Sequence, residues 1–182
     1  FRSKYKTDIE RWSKMEIRFA QQQDLRQIAQ LYISNHKSTY QGLLSDEYIQ
    51  GLTLEYGMDK WTHYLADGKG KIWVACNEGI FWGFAAGTED AELPDTWYLD
   101  SLHVIPEARG KGVGTRLIRT MGKYALENHY AKMSICIVRG NDAAGSLYRK
   151  LGAKHLYDFE DTFCGTKSQS EKLIWENLEI FG

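Results

Sequence analysis

Residues Ala108 to Ile118, "ARGKGVGTRLI", place three glycines and three cations in eleven positions. They run directly into an apolar face at helical spacing: Val113, Leu117, Ile118, Met121, Tyr124 and Ala125. Glycine leaves the main chain bare, and a helix start carries unpaired N–H donors and about half a positive charge. Together these bind an anion, and phosphate chemistry is the first reading. A Walker loop would need glycine at Ile105 and a hydroxyl residue at Gly112, and has neither. A dinucleotide fingerprint from Gly112 would need a small residue at Leu117, with a ribose-binding acid further on, and fails too. Taken alone, the stretch could also be a glycine-rich turn joining strand to helix.

The elements around the loop give it a context. "MEIRFA" from Met15 reads as a strand, and Leu25, Ile28, Ala29 and Tyr32 mark a helix whose first turn Asp24 would stabilise. A second helix is expected from Ser45 as cap, and a third around Asp59–Leu65. Lys71–Cys76 and Ile80–Gly87 read as strands joined by an Asn-Glu-Gly turn, and "TWYLDSLHVIP" as a strand stopped by Pro106. The helix after the loop runs to about Glu127, and Lys132–Val138 follows as a strand, so a crossover should join neighbouring parallel strands. "DAAGSLYRKLG" is a further helix. "KHLYDFED" and "EKLIWENLEIF" would then pair antiparallel around a loop "TFCGTKSQS". Residues 1–14 read as a polar leader, either a short helix packed through Ile9 and Trp12 or a start-site extension, with a single domain over 15–182.

"YLDSLHVIPEARGKGVGTRLI", followed by "NDAAGSLYRKLGA", resembles the acetyl-CoA-binding core of the GNAT superfamily of N-acetyltransferases. Arg109, Gly112 and Gly114 meet one family motif. Asn141, Ala144, Tyr148 and Gly152 meet the second. "STYQGLL" in the first helical region is similar to a GNAT branch carrying Thr-Tyr-x-Gly-Leu-Leu, and the element order matches over residues 16–153. The resemblance implies an α/β fold, with a mixed sheet of about six to seven strands flanked by helices and splayed at a cofactor cleft.

It also implies roles. The main chain of Arg109, Gly110, Lys111, Gly112, Val113 and Gly114, with the Thr115 hydroxyl, would wrap the pyrophosphate of acetyl-CoA, with Arg116 as an additional cation. The pantetheine arm would lie along Leu102, His103 and Val104, beside a bulge in that strand. An N–H near Leu102 or His103 would polarise the thioester carbonyl. Tyr148 matches the tyrosine beside the sulfur and is assigned as general acid; core packing with Leu147 and Leu151 is the competing explanation. Asn141 and Ala144 fall at cofactor-contacting positions, Asn141 equally being a turn or cap residue. An alkylamine with a pKa near about 10.4 must lose a proton before it attacks. Asp100 is the first candidate base and amine contact, although alternation across a bulge leaves its direction open. Tyr40 is a substrate-contact candidate, or core. His103 is an alternative base. Glu89, Asp90, Glu92 and Asp95 would either draw in a cationic acceptor or stand as solvated surface acids.

Composition bounds the rest. A chain of 182 residues with 43% apolar content suits one domain, and a net charge of -1 offers no global field for nucleic acid or anionic membrane. No apolar run approaches the ~20 residues of a membrane span. The cysteines Cys76, Cys136 and Cys164 fit free thiols in a reducing, cytoplasmic compartment, the first two as buried strand residues. Five scattered histidines lack ligand spacing, so no metal is expected. The expected activity is acetyl transfer from acetyl-CoA to a primary amine of a small molecule or peptide, by direct attack in a ternary complex. A non-catalytic acyl-CoA-binding module and a protein-interaction domain are the alternatives; "LIWENLEIF" could supply a homodimer contact.

Overall fold

The computed structural model describes residues 14–163 and 166–182. The leader helix expected through Ile9 and Trp12, and Cys164, lie outside the described residues.

The chain builds β1 (Glu16–Phe19), α1 (Leu25–Tyr40), α2 (Asp46–Gly51), α3 (Leu54–Asp67), β2 (Lys71–Asn77), β3 (Ile80–Glu89) and β4 (Thr96–Val104). Then come α4 (Val113–Glu127), β5 (Lys132–Val138), α5 (Asp142–Lys150), β6 (Lys154–Phe163) and β7 (Thr166–Trp175). One seven-stranded sheet results, ordered β1-β2-β3-β4-β5-β7-β6. Among these pairings β4–β5 is parallel and the others are antiparallel. The expected mixed α/β sheet, with α4 as the crossover between its parallel neighbours, is therefore present.

Strand alternation splits the core between two faces. Trp97, Leu99, Met133, Leu173 and Trp175 bury against the Leu117–Ile118–Met121 face of α4. On the opposite face Ile72, Val74 and Phe84 bury against Leu25, Ile28 and Tyr32 of α1 and Trp61 of α3. Local chemistry sets the ends. Ser45 Oγ accepts from Tyr48 N–H at 3.2 Å to start α2, as expected. Thr53 Oγ1 accepts from Tyr56 N–H at 3.1 Å, so α3 begins five residues before the expected Asp59. Asp24 does not cap α1 by its side chain. It binds the Arg18 guanidinium at 2.8 and 3.0 Å and Gln21 N–H at 2.7 Å, tying β1 to the turn before the helix.

The C-terminal reading needs correction. Most of "TFCGTKSQS" is strand rather than loop, because Ser168 and Ser170 alternate inward with Lys172 while Lys167 reaches Glu160 at 2.9 Å across the hairpin. The last strand ends at Trp175, and Leu178–Phe181 form a 3₁₀ turn that buries Leu178 and Phe181 beneath α4. The aromatic residues of "LIWENLEIF" are thus used inside this chain. Its large exposed hydrophobic residue is Ile180. Among the described residues no helix is long and apolar enough to cross a membrane.

Candidate active site

The sheet forks where β4 meets β5. The parallel ladder holds for three rungs, Thr96–Tyr98 against Lys132–Ser134, and then stops. On the other edge of β4, Gly87 faces Leu99 and Ala86 faces Ser101, so Asp100 is an extra residue: the bulge expected in this strand falls on it. A bulge bends its strand, and beyond Tyr98 the β5-facing main chain of β4 has no ladder partner. The fork opens a cavity of about 890 Å³, walled by Asp100–Val104 on one side and Ile135–Val138 on the other.

One end of the cavity is the glycine loop. Gly110 and Gly112 have φ of +71° and +83°, and a β-carbon on either would meet nothing within 4 Å. Glycine is needed there for the left-handed backbone, and it leaves the approach open. Gly112 is the N-cap of α4 and carries no capping side chain, so the amides of Val113, Gly114 and Thr115 have no intrahelical acceptor. These residues line the cavity together with Arg109, Gly110 and Gly112. A bare, donor-rich helix start fits a diphosphate.

The cations are placed otherwise than expected. Arg109 folds back, its Nε donating to Val104 O at 3.2 Å and its Nη2 to Asn35 Oδ1 at 2.8 Å. Asn35 Nδ2 also reaches Val104 O, at 3.3 Å. The carbonyl at the end of β4 draws both groups, so Arg109 braces loop, strand and α1. Arg116 turns to Met15 O at 3.0 Å and leaves the loop. Lys111 is exposed and does not line the cavity.

Along the fork, Leu102 and Val104 pack toward α4, while the His103 ring stacks on Phe84 at 5.2 Å on the opposite face. His103 therefore presents main chain to the fork and its ring to α1. Ala144 and Leu147 of α5 also line the cavity, as does Tyr148, which is 5% exposed and edge-on to Trp175 at 5.9 Å. Burial first, and the nearby Tyr40 second, raise the Tyr148 phenol well above its ordinary value, so it holds its proton. Asn141 occupies the N-cap position of α5 without a capping bond. Its side chain instead acts on the Tyr40 phenol, opposing the larger upward push of burial. Tyr148 and Asn141, at one helix, thus share a wall with Tyr40, which is distant in the chain.

The other end is an aromatic and imidazole cluster. His36 lies 4.1 Å from the Tyr32 ring, 5.0 Å from Tyr40 and 5.3 Å from His103, centroid to centroid. Burial, aided by Lys60, lowers His36 to about 4. His103 is pushed well below the ordinary imidazole value by burial, with His36, Arg109 and Lys60 adding to it. Both rings are neutral near pH 7. Asp100 is half-buried, lines the cavity and accepts from Ser101 Oγ at 3.2 Å. It adds to burial in raising the phenols of Tyr32 and Tyr98.

Sequence reasoning missed Tyr32, His36, Lys60 and Tyr98 as cavity residues. The Tyr32-His36-Tyr40 spacing of four could have shown a polar-aromatic stripe on α1, but Tyr32 was assigned to the core face. Cys136, expected to be buried, is half-buried and lines the cavity beside Tyr98; burial raises its thiol, which makes it a poor nucleophile. The acidic run divides: Glu89, Glu92 and Asp95 are exposed, as the solvated-surface reading expects, whereas the Asp90 side chain is buried. Asp90 is buried with Lys172 at 2.8 Å, Glu92 meets Lys172 at 3.2 Å, and Glu89 accepts from Tyr130 at 2.8 Å. One group among the described residues, His155, Asp158 and Glu171, brings ligand atoms together at the surface. Arg149 already pairs with Glu171, and Arg139 with Asp158 at 3.1 Å, so cations hold both carboxylates.

The profile of the Acetyltransferase (GNAT) family matches residues 25–153. Thialysine N-epsilon-acetyltransferase of Bos taurus is 33% identical over 67 residues, 37% of this chain and 39% of the relative. The chain thus matches well under half the length of that relative. Ribosomal-protein-alanine N-acetyltransferase of Brucella melitensis superposes with a TM-score of 0.71 at 22% identity, over 88% of this chain and 99% of that one. PaiA N-acetyltransferase of Thermoplasma acidophilum, solved in complex with coenzyme A, gives 0.66 at 22% identity over 87% and 98%. The forked sheet, the bare helix start at its mouth and the family profile across both lead to one conclusion: the chain belongs to the GNAT acetyltransferase family.

Proposed function

We propose that the protein acetylates a primary amine from acetyl-CoA by direct attack, with both substrates bound in the fork. The observation that carries this reading is the three-rung β4–β5 ladder, which leaves a slot running from the Gly110–Thr115 amides past the Tyr148 phenol to Asp100. Acetyl-CoA supplies an acetyl thioester: the cationic acceptor gives up a proton to become a free amine, its N–C bond forms as C–S breaks, and the departing thiolate takes up a proton while the acylated nitrogen loses one.

Each requirement has a residue. The amides of Val113, Gly114 and Thr115, approached across Gly110 and Gly112, hold the diphosphate, and the unpaired β4 edge at Leu102–Val104 hydrogen-bonds the pantetheine arm. An N–H of that edge near Leu102 or His103 stabilises charge developing on the carbonyl oxygen. Tyr148, protonated through the neutral range, donates to the departing sulfur. Asp100 draws the cationic amine and takes up its proton directly or through water. Tyr40 holds the acceptor side of the slot, and Asn141, hydrogen-bonded to it, contacts the pantetheine arm. Cys136, with its raised thiol, takes no acetyl group. The relative named for thialysine and the neighbour solved with coenzyme A support an amine acceptor and this cofactor.

The test pairs calorimetric titration of coenzyme A with thiol release across an amine panel, in wild type and Gly112→Val. Wild type should bind coenzyme A and turn over at least one amine, and the variant should lose affinity by tenfold or more. No heat with wild type, or an unchanged affinity in Gly112→Val, overturns the reading.

A further inference from the structure

We propose that Lys60 binds a carboxylate on the acceptor, so that the substrate class is an amino acid rather than a simple alkylamine or polyamine. The inference rests on the function proposed above and names the acceptor of that same site.

Lys60 is the cation at the acceptor end of the cavity, and it is half-buried. Its Nζ stands 5.4 Å from the Tyr32 ring centroid and 5.2 Å from that of Trp61, rings that are 4% and 0% exposed. No carboxylate of the described residues pairs with it. The adjacent Asp59 is taken by His63 at 3.3 Å. Cation–π contact offsets only part of what an ammonium loses on leaving water. Asn35, which also lines the cavity, is already committed to Arg109 and Val104. A half-buried cation without a carboxylate partner opens into the cavity, and an acceptor carboxylate supplies one.

Opposite charge stands in the same cavity: Lys60 lies over the Tyr32 ring, and Asp100 lines the same space. An acceptor reaching between them carries an anion at one end and an amine at the other. Tyr32, Tyr48 and Tyr98 line the space between and suit the carbon chain of such a molecule. A diamine would put its second ammonium against Lys60, and like charges there repel.

The experiment compares amino acids with the amines left when the carboxyl group is removed: lysine against 1,5-diaminopentane, ornithine against 1,4-diaminobutane, β-alanine against ethylamine, phenylalanine against 2-phenylethylamine. Thiol release gives kcat/KM. Calorimetry on the coenzyme A complex gives affinity without turnover. At least one amino acid should exceed its partner amine by tenfold or more in both readouts. In Lys60→Met that ratio should fall toward one, chiefly through KM. Lys60→Arg, which keeps the charge, should retain it. Wild type that favours the decarboxylated partner in every pair, or a ratio untouched by Lys60→Met in a variant that melts like wild type, overturns the proposal. If coenzyme A binds and no amine turns over, the catalytic reading fails, and the calorimetric ratio alone decides this one.

Discussion

Lys172→Met tests whether the closed part of the fork is held by a buried ion pair. Lys172 is 3% exposed, and its Nζ lies 2.8 Å from Asp90 Oδ2 and 3.2 Å from Glu92 Oε2. The Asp90 carboxylate also accepts from the Ser134 hydroxyl and from the N–H groups of Glu92 and Leu93 at 2.9 and 3.1 Å. Ser134 forms the last β4–β5 rung, opposite Tyr98, so these contacts clamp the sheet where it begins to open. Removing the ammonium strands a carboxylate whose side chain is 2% exposed. Breaking one side of such a pair costs about 3–5 kcal/mol. For a domain of this size that corresponds to a fall of about 6–20 °C in Tm. Lys172→Met/Asp90→Asn, which removes both charges and keeps an acceptor for Ser134, should recover at least about 2 kcal/mol of this.

The pH dependence has a definite sign. Burial raises Asp90, but the Lys172, Ser134 and main-chain bonds together hold it below its ordinary value. Its stabilisation is therefore complete above the unfolded value near ~3.9 and is lost as pH falls through the lower folded one. Lys172 is raised by the same partners, against its own desolvation, so its contribution is complete below the unfolded value near ~10.4. Wild type should be flat in this respect from about pH 5 to 9. In Lys172→Met, burial acts on Asp90 without a counter-ion and raises it, so that variant should gain stability on acidification while wild type does not. Thermal unfolding across that range, with amide exchange at residues 96–98 and 132–134, reads both effects. A loss below about 1 kcal/mol, the level of a surface pair, or a gap independent of pH, refutes the clamp.

Tyr148→Phe keeps the ring against Trp175 and removes only the hydroxyl. It should lower kcat by about 10²–10⁴ with coenzyme A affinity nearly unchanged, measured by thiol release and calorimetry; unchanged turnover removes Tyr148 from its role. Because burial keeps that phenol protonated well beyond its ordinary value, the wild-type kcat profile should show no alkaline fall near about pH 10 from this group. Asp100→Asn should raise KM for cationic acceptors more than for neutral ones, and equal effects on both would exclude its charge from amine capture. Gly122→Ala places a methyl against the Phe181 ring and should cost about 1–3 kcal/mol in a denaturant midpoint, with the cofactor site intact.

The sequence alone determined the elements and the loop. Periodicity in Val113–Ala125 marks a helix whatever surrounds it, and Gly110 and Gly112 declare a left-handed backbone because other residues are strained there. The order of strand, helix and strand fixed the parallel β4–β5 neighbours, since the crossover has few ways to close. Tertiary structure alone decided where the ladder stops, that the bulge residue is Asp100, and that Arg109 turns to Asn35, 74 positions away, instead of to the loop. It also decided that Asp90 is buried on Lys172, and that Tyr32, His36 and Lys60, from two helices, meet at one end of the cavity. Local patterns are set by neighbours along the chain, whereas charge pairing and cavity walls depend on which distant segments the sheet brings within a few ångströms, and no spacing in the sequence encodes that distance.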